Sequence, residues 1–162
     1  QCRVGARSPL AFQAGATSAY SRRGGQSFDG GAALSDTERL EALEVWLARL
    51  TEFPGPVVVE GQRDIVALQG LCDAQLLVLN NGHPVLQTVE TLARKLGPGG
   101  RFAILTDWDR TGGRLARQLR ELGIASDLQP DSELRRGLAL LARHEISCVE
   151  ELPSLLQKLR PK

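Results

Sequence analysis

Two stretches of the sequence determine the predicted fold, P-V-V-V-E-G-Q-R-D (56–64) and F-A-I-L-T-D-W-D-R-T-G-G (102–113). Each is a short apolar run that ends in acidic residues and continues into glycine and the start of a helical pattern. Runs of four to eight apolar residues bounded by turn signals are typical of strands buried on both faces of a parallel sheet. Residues 56–60 and 102–106 are therefore predicted to be central strands.

The segments between and after these strands alternate in type. Residues 62–71 are predicted to be a helix that stops near Gly70, and 76–79 a further strand. Pro84 suits the first turn of a helix that runs to about Leu96, and a helix over 111–122 closes at Gly123. This order predicts an α/β fold of the Rossmann-like kind, with about four mostly parallel strands and helices on both faces.

Helical patterns also flank this central region. Ser35 and Glu38 have capping-box spacing, and they precede leucines that fall on one face of a helix over 36–50. Residues 131–143 form another amphipathic pattern, followed by a short segment at 146–149 and a last helical turn or two at 153–159. The expected organisation is a tail at 1–34, an N-terminal helix at 35–55 and an α/β domain at 56–162 with a helical extension.

Residues 1–34 are rich in Gly, Ser, Ala, Arg and Gln and show no helical or strand period. The favoured interpretation is a disordered tail or a wrongly assigned start, because such a composition buries too little apolar surface to offset chain ordering. A basic arm that binds nucleic acid is the alternative. The chain contains no methionine and begins at Gln1.

The bulk composition is that of an ordinary globular protein, with 42% hydrophobic and 24% charged residues and a net charge of +1. Its cations are nearly all arginine, which suits phosphate binding but also follows from a GC-rich genome. Cys2, Cys72 and Cys148 lack zinc-ligand spacing and are an odd number, so reduced thiols in a cytoplasmic protein are expected. No apolar run is long enough for a membrane span.

Three carboxylates are predicted to meet at one edge of the sheet. Glu60 ends the first strand, and Asp107 and Asp109 end the third. Side chains two residues apart on an extended backbone point the same way, and neighbouring strands lie about 5 Å apart. Such carboxylates repel one another, and a hard dication such as Mg²⁺ removes the repulsion. An ordinary strand-end cap is the alternative for a lone D-x-D, but Gly61, Asp64 and the Gly112-Gly113 turn favour a ligand site.

The two stretches resemble the signature motifs of the Toprim domain, which topoisomerases, primases, recombination proteins and 5S ribosomal RNA maturation nucleases share. The resemblance covers about residues 56–128, and L-N-N-G (79–82) is similar to a loop of the maturation nucleases. L-R-R-G-L-A-L-L (134–141) and C-V-E-E-L-P-S-L-L (148–156) extend the similarity to small stand-alone Toprim proteins, which are mostly archaeal.

This resemblance implies specific roles at matching positions. Glu60 would be the acid/base or metal-linked glutamate, and Asp107 and Asp109 the ligands of Mg²⁺, with Mn²⁺ as a possible substitute. Gln62 departs from the family because relatives often carry lysine there, and Trp108 stands where a smaller residue or another aromatic is common. Neither departure touches the three acids.

Several basic residues are predicted to lie near the acids. Arg110 is favoured as a clamp for a substrate phosphate, and the same role is favoured for Arg63. Arg114 and Arg117 share the helix face of Arg110, with a solvated face paired to Glu121 as an equal alternative. The histidines are assigned no role: His83 is explained by turn chemistry and His144 by a helix end.

Two functions from different classes follow. The first is an Mg²⁺-dependent nuclease or related phosphotransfer enzyme acting on RNA or DNA. The second is a non-catalytic nucleic-acid-binding or adaptor module that works with a partner protein. Topoisomerase chemistry is disfavoured because the only tyrosine, Tyr20, lies in the tail, and no zinc module of a bacterial-type primase is present.

Overall fold

The computed structural model describes residues 33–79, 82–142 and 145–162. Its strands are β1 (Val57–Val59), β2 (Leu76–Val78), β3 (Arg101–Ile104) and β4 (Gln129–Asp131). Its helices are α1 (Asp36–Glu52), α2 (Gln62–Gln69), α3 (Val85–Leu96), α4 (Arg110–Ala125), α5 (Glu133–Ala142) and α6 (Leu152–Leu159), with a 3₁₀ turn over Val149–Glu151 before α6.

The four strands form one parallel sheet in the order β2-β1-β3-β4. Val57 of β1 lies opposite Leu76 of β2 on one side and Ala103 of β3 on the other. The predicted α/β fold with about four parallel strands is confirmed. β1 and β3 are central, which explains why their sequences are continuous apolar runs.

Alternate side chains of the central strands enter two separate hydrophobic cores. Val57 and Val59 pack in the core that α1, α2, α5 and α6 complete. Val58 points to the opposite face and packs with residues of α3 and α4. All three valines are fully buried. The sheet is therefore covered by helices on both faces, as the order of the elements predicted.

Helix α1 begins and packs as its sequence indicated. The Ser35 hydroxyl accepts a hydrogen bond from the Glu38 N–H at 3.3 Å, and the Glu38 carboxylate accepts one from the Ser35 N–H at 2.7 Å. Leu43 and Leu50 are completely buried. The indole of Trp46 is also buried and donates a hydrogen bond to the Leu134 carbonyl at 2.8 Å, so α1 is fastened to α5.

Helix α4 does not end where it was predicted to end. It continues through Gly123 to Ala125. A Cβ at Gly123 would stand 2.9 Å from the ring of Phe102, so this glycine allows the helix to approach the sheet and does not terminate it. The prediction that Gly123 ends the helix is therefore wrong, because this glycine serves close packing and is not a C-cap.

Strand β4 was not identified from the sequence. It spans only Gln129–Asp131 and contains Pro130, which removes a backbone donor and is confined to edge strands. β4 is indeed an edge strand. The predicted third strand is also shorter than expected at its carboxyl end, because β3 ends at Ile104, although the Leu105 N–H still donates to the Val58 carbonyl of β1 at 2.8 Å. Pro84 is the N-cap of α3 and precedes its first turn.

Some expectations fall outside the described residues. They concern nearly all of the tail at 1–34, the Asn80 and Asn81 part of the L-N-N-G loop, and His144. Within the described ranges, none of the helices has the length and apolar character that crossing a membrane requires.

Candidate functional site

The predicted acids follow neighbouring strands at the carboxyl edge of the sheet. Glu60 comes directly after β1, and Asp107 and Asp109 follow β3, which pairs with β1. Ligands bind outside this edge in open parallel sheets. The Glu60 Oε1 atom accepts a hydrogen bond from the Asp107 N–H at 3.0 Å, so the two motifs meet directly.

A backbone N–H group holds one oxygen of each carboxylate. In addition to the Glu60 contact, Asp107 Oδ1 accepts from the Val149 N–H at 2.9 Å. Asp109 is the N-cap of α4, and its Oδ1 accepts from the Gly112 N–H at 2.7 Å. The second oxygen of each side chain accepts no hydrogen bond from a described residue. Each acid is thus oriented by one atom and has another available for a ligand.

Asp64 has a supporting position beside these acids. Its carboxylate accepts from the Gly61 N–H at 3.0 Å, which closes the first turn of α2. Its side chain is buried, and burial is the main cause that raises its pKa. Apart from its two chain neighbours, no residue has an atom within 4 Å of the place where a Cβ of Gly61 would stand, so space remains there for a ligand.

The acids disturb each other's protonation. Burial and the charges of Asp107, Asp109 and Asp64 together raise the pKa of Glu60 to about 6, although the hydrogen bond from the Asp107 N–H opposes them. Burial likewise raises the pKa of Asp107 to about 6, with contributions from Asp64, Asp109 and Glu150, although the hydrogen bond from Val149 opposes them. Negative charge is therefore crowded at this edge beyond what the protein itself neutralises.

The chemistry of these donors fits Mg²⁺, which prefers hard carboxylate oxygens and keeps part of its water shell. However, among the residues that the structure describes, no group of three Asp, Glu, His or Cys side chains is arranged to hold a metal ion. The backbone hydrogen bonds described above fix the present side-chain positions. Binding a cation through Glu60, Asp107 and Asp109 together would require these side chains to turn toward it.

Gly112 is what permits the two motifs to approach so closely. A Cβ there would stand 1.8 Å from the Asp107 carbonyl oxygen and 2.7 Å from Glu60 Oε1. The buried Thr106 hydroxyl also donates to the Gly112 carbonyl at 2.8 Å. Gly113 is different, because its nearest neighbour would be an Arg135 nitrogen at 3.8 Å. Of the two glycines, only the first is required by packing at this site.

Arg135 of α5 belongs to the site and was given no role from the sequence. Its guanidinium donates to the Thr106 carbonyl at 3.0 Å and to the Asp107 carbonyl at 2.8 Å. Burial lowers its pKa, while the charges of Glu60, Asp107 and Asp109 favour its charged form. The only signal for it was the L-R-R-G stretch, in which nothing distinguishes Arg135 from its exposed neighbour Arg136.

The segment after α5 closes over the turn that carries the aspartates. Val149 supplies the N–H that orients Asp107. The indole N–H of Trp108 donates to the Ile146 carbonyl at 2.8 Å, and the Trp108 backbone N–H donates to the Ser147 carbonyl at 3.3 Å. Residues 146–149 were predicted only as a short segment, yet they position the acidic site.

The basic residues predicted to lie near the acids differ in their surroundings. Arg110 is the first residue of α4 and is exposed next to Asp109, and no described residue forms an ion pair with it. Arg63 is also exposed, but one of its guanidinium nitrogens lies 3.9 Å from the Glu150 carboxylate. Gln62 opens α2 at the surface.

The chain is similar to archaeal proteins of a single family. It is 36% identical over 128 residues to a UPF0292 protein of Methanosarcina barkeri, covering 77% of this chain and 87% of the relative. It is 35% identical over 123 residues to a UPF0292 protein of Pyrococcus furiosus, covering 76% and 90%. These names state no activity. No family model matches the chain.

A solved structure of a protein from Aquifex aeolicus is similar in fold. The TM-score is 0.57 at 24% sequence identity, and the similarity covers 67% of this chain and 96% of that protein. At this identity the likeness supports the arrangement of strands and helices alone.

The two adjacent glycines provide a matched test of the site's packing. Gly112→Ala should destabilise the protein by about 1–3 kcal/mol, because its methyl group meets the Asp107 carbonyl and Glu60. Gly113→Ala should be neutral or stabilising by up to about 1 kcal/mol, since it meets no close atom and restricts the unfolded chain. Urea unfolding measures both variants. Equal effects at the two positions would contradict this account of Gly112.

Arg135 and Arg136 provide a second matched pair. Arg135→Leu should cost about 1.5–3 kcal/mol, because two hydrogen bonds from a charged group to the aspartate turn are lost. Arg136→Gln should change stability by less than about 1 kcal/mol, since its ion pair with Glu133 is exposed. Denaturant unfolding compares them, and a similar small loss for both would show that Arg135 does not hold the turn.

Proposed function

The chain belongs to the UPF0292 family, and we propose that it performs Mg²⁺-dependent phosphodiester chemistry on nucleic acid. The proposed reaction is Toprim-type, nuclease-like cleavage of RNA or DNA. The observation that carries this proposal is the meeting of Glu60 with the Asp107–Asp109 pair at the ends of two central strands, where the pKa values of Glu60 and Asp107 are both raised to about 6.

The acidic residues would hold the cation and handle the proton. Glu60, Asp107 and Asp109 each offer a carboxylate oxygen that accepts no hydrogen bond from a described residue. When bound there, Mg²⁺ supplies stabilisation of negative charge on a phosphoryl group. A carboxylate whose pKa is close to neutral is suited to take up and return a proton, which supports an acid/base role for Glu60 through its Oε2 atom.

Positive groups around the acids would bind the substrate phosphate. Arg110 stands exposed at the start of α4, directly after Asp109. The open space in front of Gly61 and the first turn of α4 leave room for an anion, which a helix N-terminus favours. Arg135 has a different role, because its guanidinium is committed to the carbonyls of Thr106 and Asp107 and so keeps the aspartate turn in place.

A non-catalytic module that binds nucleic acid together with a partner protein is the second candidate. One observation favours it: every carboxylate of the site already accepts a backbone hydrogen bond, and the described residues contain no ready-made three-ligand metal cluster. In that case the acids would serve to fix the turn, and exposed arginines such as Arg110 would carry the binding.

Cleavage of a panel of labelled RNA and DNA substrates separates these candidates. The protein should convert one substrate class to shorter products in Mg²⁺, and a chelator should abolish the reaction. Glu60→Gln and Asp107→Asn should each lower the rate by at least about a hundredfold if Glu60 moves the proton and Asp107 holds the cation. Both variants keep the oxygen that accepts the backbone N–H, so the turn should remain intact.

Asp131→Asn is the matched control. Asp131 is also a strand-end acid, and its Oδ1 accepts from the Glu133 N–H at 2.9 Å, but it does not contact the acidic site. Its variant should cleave like the parent. Binding without cleavage by the parent would favour the adaptor, and activity that survives both chelation and Asp107→Asn would contradict the metal-dependent mechanism.

A further inference from the structure

Helix α4 carries a row of exposed arginines that leads away from the acidic site. We propose that this row, Arg110, Arg114 and Arg117 (the arginine stripe), is the surface along which the backbone of the nucleic-acid strand lies on either side of the reacting phosphate. The inference rests on the proposed function and names the surface that binds its substrate.

The stripe follows from helical geometry. At 3.6 residues per turn, positions 110, 114 and 117 fall within an arc of about 60° on one face. At 1.5 Å per residue they extend about 10.5 Å along the axis. The stripe starts beside Asp109, which caps α4, so its first member borders the acids and its last lies two turns away.

The opposite face of α4 fixes the stripe in position. Gly112, Leu119 and Gly123 are buried, and they lie about half a turn away from the arginines. Leu119 is completely buried in the core that α3, α4 and the sheet share, and Gly123 lies against the ring of Phe102. The arginines therefore project from a helix whose opposite face is packed against the sheet.

The arginines of the stripe are not engaged in ion pairs with the described part of the protein. Arg114 and Arg117 are exposed, and Glu121, which follows on the same face, lies beyond ion-pair distance of both. By contrast, Arg101 and Arg136 each pair with a nearby acid. The solvated pair with Glu121 that the sequence left open is thus not formed, and three guanidinium groups face solvent.

Charge and spacing together indicate the kind of partner. The whole chain has a net charge of only +1, so the three cations of the stripe are a local concentration. Guanidinium groups bind phosphates in a bidentate manner. At about 3.4 Å per nucleotide along a stacked strand, the 10.5 Å length matches roughly three nucleotides. A strand with one phosphate at the acids would place its next phosphates along the stripe.

The test is the salt dependence of nucleic-acid binding. Arg114→Gln/Arg117→Gln is compared with the parent by fluorescence anisotropy of a labelled 20-nucleotide strand over a range of KCl concentrations, in chelator so that no cleavage occurs. Two lost phosphate contacts should reduce the slope of log K against log salt by about 1.4 for a single strand. Thermal melting should show that the variant is folded, since both positions are exposed.

Arg49→Gln/Arg160→Gln is the matched control. It removes the same charge from exposed arginines at the end of α1 and after α6, helices that cover the other face of the sheet. Its slope should equal that of the parent. The proposal is overturned if the two double variants have the same salt slope, or if the parent does not bind the strand. It is also overturned if an acidic poly-glutamate peptide binds the parent as tightly as the strand does and loses affinity equally when the stripe is removed.

Cleavage by the same variants separates this inference from the proposed function. Cleavage by the parent with an unchanged kcat/KM for Arg114→Gln/Arg117→Gln would overturn the stripe while the enzymatic function stands. A stripe-dependent salt slope in a parent that cleaves nothing would support the stripe while the enzymatic function fails.

Discussion

The hydrogen bond from the Asp107 N–H to the Glu60 carboxylate is the contact on which the candidate site depends. It joins the end of β1 to the turn after β3, and it forms only because these strands are neighbours in the sheet and because Gly112 leaves room between them. The contact brings a second and a third carboxylate close to the first. The same arrangement therefore creates an unfavourable accumulation of negative charge and a set of oxygens suited to a dication.

Parts of the chain distant in sequence hold this unfavourable arrangement in place. Arg135 from α5 binds the carbonyl side of the aspartate turn, and Val149 from the 3₁₀ turn binds the side chain of Asp107. Trp108 anchors the turn to the Ile146 carbonyl. The C-terminal third is thus a structural part of the site.

The sheet and the meeting of Glu60 with Asp107 could be predicted because both depend on local patterns: continuous valines for buried parallel strands, and acids directly at the strand ends. Arg135 could not be singled out, because its partners are carbonyls that lie 28 or 29 residues away, and such contacts leave no trace in residue type.

β4 was missed because Pro130 marks it as irregular. Gly123 was misjudged because a packing glycine and a capping glycine look the same in a sequence. The functional proposal rests on the resemblance of the two acidic motifs to the Toprim signatures, because the names of the UPF0292 relatives state no activity.

The melting temperature of the parent and of Asp107→Asn, with and without millimolar Mg²⁺ at pH 5 and pH 7.5, tests most directly whether the crowded carboxylates form a cation site. The raised pKa values of Glu60 and Asp107 mean that the folded, metal-free protein binds more protons than the unfolded chain between about pH 4 and 6. Stability from this source is thus lost as the pH rises through that window. Asp107→Asn should therefore gain melting temperature relative to the parent at pH 7.5, and Mg²⁺ should stabilise the parent, more at pH 7.5 than at pH 5, but hardly the variant. A parent that melts identically with and without Mg²⁺ at both pH values would contradict the claim that its crowded carboxylates form a cation site.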